Sequence, residues 1–526
     1  MKKKLICLLL VLTASVLTAC GDIGALGPGR SGVGGDGEAS GNLTVLALDA
    51  GYGLEWMREA ADLYMVTNKK VKITVKTTVE TLAEVAKVEA GNIYIGDVFY
   101  ANTTLVKAGE NGYSLPLDDV YDSKPHGEDK TVAEKVGDSL RSAFRGGSGK
   151  TFSLPIFDAF SGILYSETTL NEILGAGNWS LPRTSDEFYA MCQTLKTENS
   201  VPIVYSASGD QDYAQNLLSY WFAQYMGQEA LLQSKDFKFW DAASQSYVTD
   251  TSGDMTVNLP ARAKAIEECA RFLSVADGMA PVSTKYMDFI KAQVYFWGLG
   301  YGTDKRKAGF TLNGDWMYQE MDYLHAPYPR SIKFMRMPII SAIRDLCPSI
   351  GSDPELSALI AAIDGGQAGL SGSGYDVSQA DYDRVFEARK MVLTAPFYQT
   401  LSIPGSARNV GAAKDFLRFM ATDAVCEIIS SCLSGDVSPY NRSISDPTVL
   451  NGFIASKLEI MQDPGLITMP FPKYYGNSAI DNWSGFVGFS DKAYNGQLVT
   501  YFNNTYKSSY RAIYVNFLTT TGILPA

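Results

Sequence analysis

The sequence predicts an α/β protein with at least two domains. Strand-like and helix-like segments alternate at the start of the folded part, which is typical of βαβ units in a sheet. The chain has 526 residues, which is more than one hydrophobic core usually serves. Its hydrophobic share of 46% and aromatic share of 12% favour a well-packed globular protein.

The first elements follow from their periodicity. Residues 43–48 are strand-like, and residues 54–66 carry apolar side chains at helical spacing. Residues 71–75 alternate as a second strand, 80–89 suit a helix, and 97–100 form a third short strand. In such a sheet, ligands bind at the carboxyl ends of the strands. The loops after these strands are therefore where binding residues are expected.

Later elements are marked by caps and amphipathic patterns. Thr184 and Glu187 form a capping box, which predicts a helix that begins there. Residues 409–430 predict one amphipathic helix, and residues 378–392 predict another. The region 341–395 is less regular, and we interpret it as an elaboration on a core fold.

Residues 1–19 predict an export signal. A basic start, a short apolar run and small residues precede Cys20, and the apolar run is too short to span a bilayer stably. The segment from Leu17 to Cys20 resembles the lipobox of bacterial lipoproteins, which implies cleavage before Cys20 and lipidation of its sulfur. An ordinary signal peptide with an incidental cysteine is the alternative. The Gly-rich residues 20–41 predict a flexible tether.

Charge and cysteine usage exclude several classes of function. The chain carries 45 basic and 57 acidic residues, so it is a poor candidate for binding nucleic acid. No C-x-x-C pair is present, which leaves a zinc or redox motif without support. Cys426 and Cys432 are close in sequence, and a disulfide between them is kept as an alternative to two free thiols. The two histidines lie in no recognisable catalytic motif.

No cofactor or metal is predicted. Gly51 and Gly53 follow the first strand, but Trp56 stands where the dinucleotide fingerprint needs a third glycine. The short pairs of acidic residues lack the spaced oxygen ligands of a calcium loop.

Five segments in one order carry a family resemblance. They are the strand 43–48 with the helix that contains Trp56 and Tyr64; 96–100 with 109–119; 149–155 with 162–165 and 182–196; 310–316; and 402–409 with the helix that follows. In this order they resemble the bacterial extracellular solute-binding proteins of the family that includes maltose-binding protein. Each motif alone is weak, and the match is loose over 206–305 and 341–395.

The resemblance implies a two-lobed, periplasmic-binding-protein-like α/β fold with a hinge. The lobes are discontinuous, because the family's chain crosses the hinge near 155–159, near 335–339 and after Ser430. The implied ranges are 42–155 and 335–435 for lobe one, and 156–334 and 436–526 for lobe two. A ligand would be trapped between the lobes.

Sugar recognition needs flat apolar faces and polar groups at their rim. Trp316 lies in a turn that resembles the family segment whose Trp stacks on sugar, and Asp158 matches an acidic residue beside the hinge. The remaining candidate residues lie in the loops after the first and third strands and in later aromatic segments. The candidate ligand-binding residues are Trp316, Asp158, Tyr100, Asn102, Asp49, Tyr52, Glu55, Tyr213 and Trp483. For each of them, local packing is the alternative.

The expected function is capture without bond chemistry. The resemblance implies a monomeric, lipid-anchored protein on the extracytoplasmic face of the cell membrane, which delivers a carbohydrate, in particular an oligosaccharide, to the permease of an ABC transporter. The alternatives are an exported glycoside hydrolase, a surface carbohydrate-binding module, or the same fold with a peptide or polyamine ligand. A polyamine ligand is compatible with acidic residues in the sequence, which include Asp49, Glu55, Asp158 and Asp315.

Overall fold

The computed structural model describes residues 39–520, apart from 91–92, 158, 209–212, 236, 368–375, 395–398, 444–446, 464, 466 and 470–488. The predicted export signal, Cys20 and the tether up to residue 38 lie outside the described residues, as do Asp158 and Trp483. Among the helices of the described part, none is long and apolar enough to cross a membrane.

The described strands form two larger sheets and a hairpin. Their bounds are β1 (Gly41–Leu48), β2 (Val71–Thr78), β3 (Val98–Ala101), β4 (Leu154–Pro155), β5 (Phe160–Ser166), β6 (Ser200–Val204), β7 (Lys238–Asp241), β8 (Ser246–Thr249), β9 (Lys307–Gly314), β10 (Ile332–Met335), β11 (Met391–Thr394), β12 (Thr400–Ser402) and β13 (Ile467–Met469). The first sheet has the order β2-β1-β3-β12-β4, and the second has the order β13-β11-β5-β9-β6, with β10 also paired to β5. Within the described part of the chain, strands β7 and β8 pair only with each other.

Helices surround both sheets. The α-helices are Glu55–Thr67, Thr81–Glu89, Val106–Glu110, Asp118–Tyr121, Val132–Val136, Asp138–Ser142, Glu167–Leu174, Ser185–Thr194, Asn216–Met226, Gln228–Lys235, Asp254–Val257, Pro260–Leu273, Phe289–Val294, Trp316–Glu320, Asp322–His325, Asp353–Asp364, Gln379–Lys390, Val410–Met420, Asp423–Cys432, Gly452–Met461, Phe489–Tyr494, Leu498–Tyr501 and Lys507–Thr520. Short 3₁₀ or π turns lie at Tyr213–Gln215, Val282–Tyr286, Tyr295–Leu299, Ser341–Leu346, Pro447–Val449 and Phe502–Tyr506.

The first sheet follows the sequence pattern closely. β1 runs parallel to β2 and β3, so the ends of these strands lie at one edge. The helix Glu55–Thr67 buries Trp56, Met57 and Tyr64 against the sheet, as its apolar spacing predicts. β12 then pairs antiparallel with both β3 and β4. We call the elements packed on this sheet lobe one.

The second sheet takes in more of the chain than the sequence predicts. β5 pairs with β9, β10 and β11, and we call the elements packed on this sheet lobe two. Helices Asp353–Asp364 and Gln379–Lys390 bury Leu359 and Val385 in the core of this lobe. The predicted lobe one included all of 335–435, so the structure differs over this segment.

The hinge crossing expected near 335–339 is therefore displaced. The chain first passes from the first sheet to the second between β4 and β5. β10 then stays paired with β5, and Ile339 packs in the core of lobe two. The return to the first sheet comes between Thr394 of β11 and Thr400 of β12. The resemblance placed this crossing one strand too early.

Two predicted helices end earlier than their patterns suggest. The segment 409–430 contains two helices, because Thr422 accepts a hydrogen bond from the N–H of Val425 and begins a second helix. Residues 391–392, predicted as the end of the helix that begins after Ser378, instead begin β11. Cys426 and Cys432 lie on the same helix, and both are free thiols.

Candidate functional site

The loop after β1 meets the start of the helix Trp316–Glu320, which follows β9. Tyr52 in that loop is buried, and its hydroxyl donates a 2.5 Å hydrogen bond to Oδ1 of Asp315. Its ring stacks on Phe157, with centroids 4.2 Å apart and 12° between the planes. Tyr52 follows a strand of the first sheet and Asp315 a strand of the second. The hydrogen bond therefore joins the two lobes.

Asp315 belongs to a buried charge cluster. The ammonium of Lys457 donates to Oδ2 of Asp315 and, at 2.7 Å, to Oδ1 of Asp436. All three side chains are almost completely buried. Burial raises the pKa of Asp315 to about 6, although Lys457 opposes the rise and Asp436 adds to it. Burial would lower the pKa of Lys457, but the two carboxylates raise it above its usual value.

Trp316 lies in the contact between the lobes. Its side chain is 7% exposed and packs in the hydrophobic cluster of lobe one, although its helix follows a strand of lobe two. Its ring lies against Gly314 and, with centroids 5.6 Å apart, against the ring of Tyr213. A Cβ added to Gly51 would lie 3.5 Å from the Cβ of Trp316. Most of the indole surface is thus covered by the protein itself.

Glu320 makes a further contact with the loop after β1. Its carboxylate accepts a hydrogen bond of 2.8 Å from the amide of Gln293 and faces the backbone N–H of Gly51. Burial raises the pKa of Glu320 to about 7, and the Gln293 amide and the Gly51 N–H oppose the rise. Residues 315, 316 and 320 therefore all face the same short loop of lobe one.

The other candidates occupy different environments. Tyr100 is fully buried, and its hydroxyl donates to Oε1 of Gln399. Asn102 follows β3 and is partly buried. Asp49 and Glu55 are exposed and lie at the two ends of the loop that contains Tyr52. The described contacts thus bring together Tyr52, Tyr213 and Trp316, and Tyr100 lies beside them, because its partner Gln399 lies 3.6 Å from the position of a Cβ at Gly51.

Sequence reasoning missed Lys457, Asp436 and Glu320, and considered Asp315 only as part of a cation pocket. The burial of Lys457 could have been predicted, because it lies on the buried face of a helix whose other buried residues are apolar. A lysine on such a face needs a buried anion as its partner. Asp436 and Glu320 had no comparable signal, because their burial depends on contacts between distant segments.

The arrangement suits non-covalent binding. Aromatic rings supply flat apolar surface, while carboxylates and hydroxyls supply hydrogen-bonding groups beside it. Among the described residues, no group of histidine, cysteine and acidic side chains could hold a metal ion.

Comparison with known proteins finds a family model over part of the chain and shows the fold. Residues 50–264 match the family model described as bacterial extracellular solute-binding protein. A chitin oligosaccharide binding protein matches with a TM-score of 0.58 at 14% identity, over 90% of this chain and 99% of the other. Maltose-bound MalE3 of T. maritima matches with a TM-score of 0.59 at 11% identity, over 91% and 99% of the two chains. RafE in complex with raffinose matches with a TM-score of 0.57 at 11% identity, over 90% and 100%.

At these identities the structural matches show the fold. A search of curated protein sequences found no significant match. The predicted two-lobed α/β fold and the resemblance to the solute-binding family are confirmed.

Proposed function

We propose that this chain is an extracellular solute-binding protein that captures a carbohydrate between its two lobes and releases it chemically intact, which its partial family-model match and its fold support. The observation that carries the proposal is the convergence of Trp316, Tyr213 and Tyr52 where the lobes meet. Aromatic faces beside carboxylates match the C–H faces and hydroxyls of a sugar ring. The names of similar structures support this ligand class, since they include chitin oligosaccharide, maltose and raffinose binders.

The same proposal includes the cellular location of the protein and its partner. Lipidation of Cys20 would anchor a monomer to the extracytoplasmic face of the cell membrane, with residues 20–41 as its tether. The loaded protein would then deliver its ligand to the permease of an ABC transporter. The candidate contacts Asp158, Tyr100, Asn102, Asp49, Glu55 and Trp483 stay part of the proposed site.

Trp316→Phe tests the site. The substitution keeps an aromatic ring but removes half of the bicyclic surface, so we expect the affinity for the bound sugar to fall by about 10-fold or more, which is about 1.4 kcal/mol. Because Trp316 is largely buried, we also expect a loss of stability of about 0.5–3 kcal/mol. Calorimetric titration against a panel of oligosaccharides, polyamines and peptides gives the affinity, and thermal melting gives the stability.

Trp221→Phe is the matched control. Trp221 is fully buried in the core of lobe two, against Phe272 and away from the contact between lobes. The Trp221→Phe variant should lose about as much stability as Trp316→Phe, but it should keep the affinity of the unmodified protein for the sugar. Equal affinity losses in the two variants would remove Trp316 from the site. Release of reducing sugar from an oligosaccharide would favour the hydrolase instead, and binding of a polyamine or peptide alone would change the ligand class.

A further inference from the structure

The contact between the lobes is made by groups that satisfy one another. Tyr52 donates to Asp315, so that a short loop of lobe one is held by a residue that follows a strand of lobe two. Trp316, the next residue after Asp315, packs into the core of lobe one.

The charge cluster behind Asp315 makes the Tyr52 contact a strong one. One ammonium, on Lys457, faces the carboxyl groups of both Asp315 and Asp436. With both carboxyl groups ionised, the cluster carries one uncompensated negative charge in a buried position. A hydrogen-bond donor is therefore needed at the remaining Asp315 oxygen, and the Tyr52 hydroxyl supplies it.

We infer that Tyr52 and Asp315 form a catch that holds the two lobes together in the absence of ligand. The inference deepens the proposed function, since it concerns the regulation of the same site. A ligand must then enter by displacing the catch or by binding the minor open form. In the second case its apparent affinity is reduced by the fraction of molecules that are open.

The catch depends on closure alone, so it can be tested without knowing the ligand. In Tyr52→Phe the closed form loses the donor to Asp315, while the open form, in which water reaches that carboxylate, loses nothing comparable. We expect the ratio of closed to open molecules to fall by about 10-fold or more. Small-angle X-ray scattering of the ligand-free protein should show a larger radius of gyration than that of the unmodified protein.

Tyr121→Phe is the matched control. Tyr121 is also a buried tyrosine, but its hydroxyl donates to the carbonyl of Ser153 within lobe one. This variant should lose stability without any change in scattering. A folded Tyr52→Phe protein as compact as Tyr121→Phe would overturn the catch, and so would an unmodified protein that is already open without ligand.

Scattering tests the catch even if Tyr52→Phe fails to fold. The unmodified, ligand-free protein should have the radius of gyration of the closed structure, because the Tyr52 hydroxyl holds Asp315 across the lobes. A clearly larger radius of gyration would contradict the inference. Failure of every sugar in the panel to bind would overturn the proposed ligand but leave both of these results unaffected.

Discussion

At the scale of single residues, the position of the Trp316 ring depends on a missing side chain. Gly314 precedes the helix of Trp316, and a Cβ added there would lie 2.2 Å from the Cη2 atom of the indole. Real Cβ atoms do not approach so closely, so any other residue at 314 must displace the ring. The glycine at this position is therefore required by the packing of Trp316.

We predict that Gly314→Ala weakens sugar binding by about 10-fold or more, since the displaced indole no longer presents its face at the same place. Calorimetric titration measures the effect. Gly162→Ala is the control, because Gly162 lies on the adjacent strand β5, opposite Asn313, and its added Cβ would meet nothing closer than 3.5 Å. Comparable losses in both variants would show that the strands, and not the ring, determine the affinity.

Individual residues also show which parts of the candidate site can be predicted from the sequence. Tyr52, Tyr213 and Trp316 could be selected from their loops and their neighbours in the chain, and the structure brings them together. Glu320 and Asp436 could not, because nothing in their local sequence shows that distant segments bury them. Lys457 is an intermediate case. Its position on an apolar helix face predicts that the lysine is buried, but the sequence does not predict which carboxylates it contacts.

At the scale of elements, the helix Trp316–Glu320 ends in a buried carboxyl group, and this group makes the stability of the fold depend on pH. Burial raises the pKa of Glu320 from 4.5 to about 7 in the folded protein. The folded state therefore binds a proton that the unfolded state has released between these two pH values. The stability contribution of this group is full below about pH 4.5 and is lost as the pH rises to about 7.

We predict that Glu320→Gln removes this loss. Urea unfolding at pH 5 and at pH 8 should give a smaller difference in unfolding free energy for the variant than for the unmodified protein, by about 1–3 kcal/mol. Glu267→Gln, an exposed glutamate on the helix Pro260–Leu273, is the control and should leave the difference unchanged. An identical pH dependence in Glu320→Gln would mean that the folded protein does not perturb Glu320.

Elements with a strong local signal were predicted well. The apolar periodicity of Glu55–Thr67 and the cap at Thr184 specify helices without help from the rest of the chain. Strand β11 was missed because a run of four residues after a helix has no periodicity of its own, and only its pairing with β5 makes it a strand. The split at Thr422 was missed because the apolar face continues across it.

At the scale of the whole molecule, the chain passes between the two sheets at segments that contact one another. The hydroxyl of Tyr440 donates to the carbonyl of Pro155 at 2.6 Å, and the hydroxyl of Ser438 donates to that of Ile156 at 3.0 Å. The passage after the helix Asp423–Cys432 is thus tied to the passage between β4 and β5. This bundle of crossings is where we expect the lobes to bend.

The order of the motifs predicted the two-lobed fold, but it could not assign every segment to a lobe. The helices between residues 353 and 390 are amphipathic, and either lobe could bury such faces. Their place in lobe two depends on contacts with residues far away in the sequence, such as the hydrogen bond between Arg389 and the carbonyl of Met337. Amphipathic pattern alone carries no information about which partner covers a face.

The most direct test of the account is a crystal structure of the protein with the sugar that stabilises it most in thermal melting. A sugar at 100 times its dissociation constant should raise the unfolding free energy by about 2.7 kcal/mol, which is enough to select it from a panel. We predict that an intact sugar lies between the lobes, in contact with Trp316 and with residues of the loop after β1. A sugar bound on the outer surface of one lobe, or cleaved within the crystal, would contradict the account.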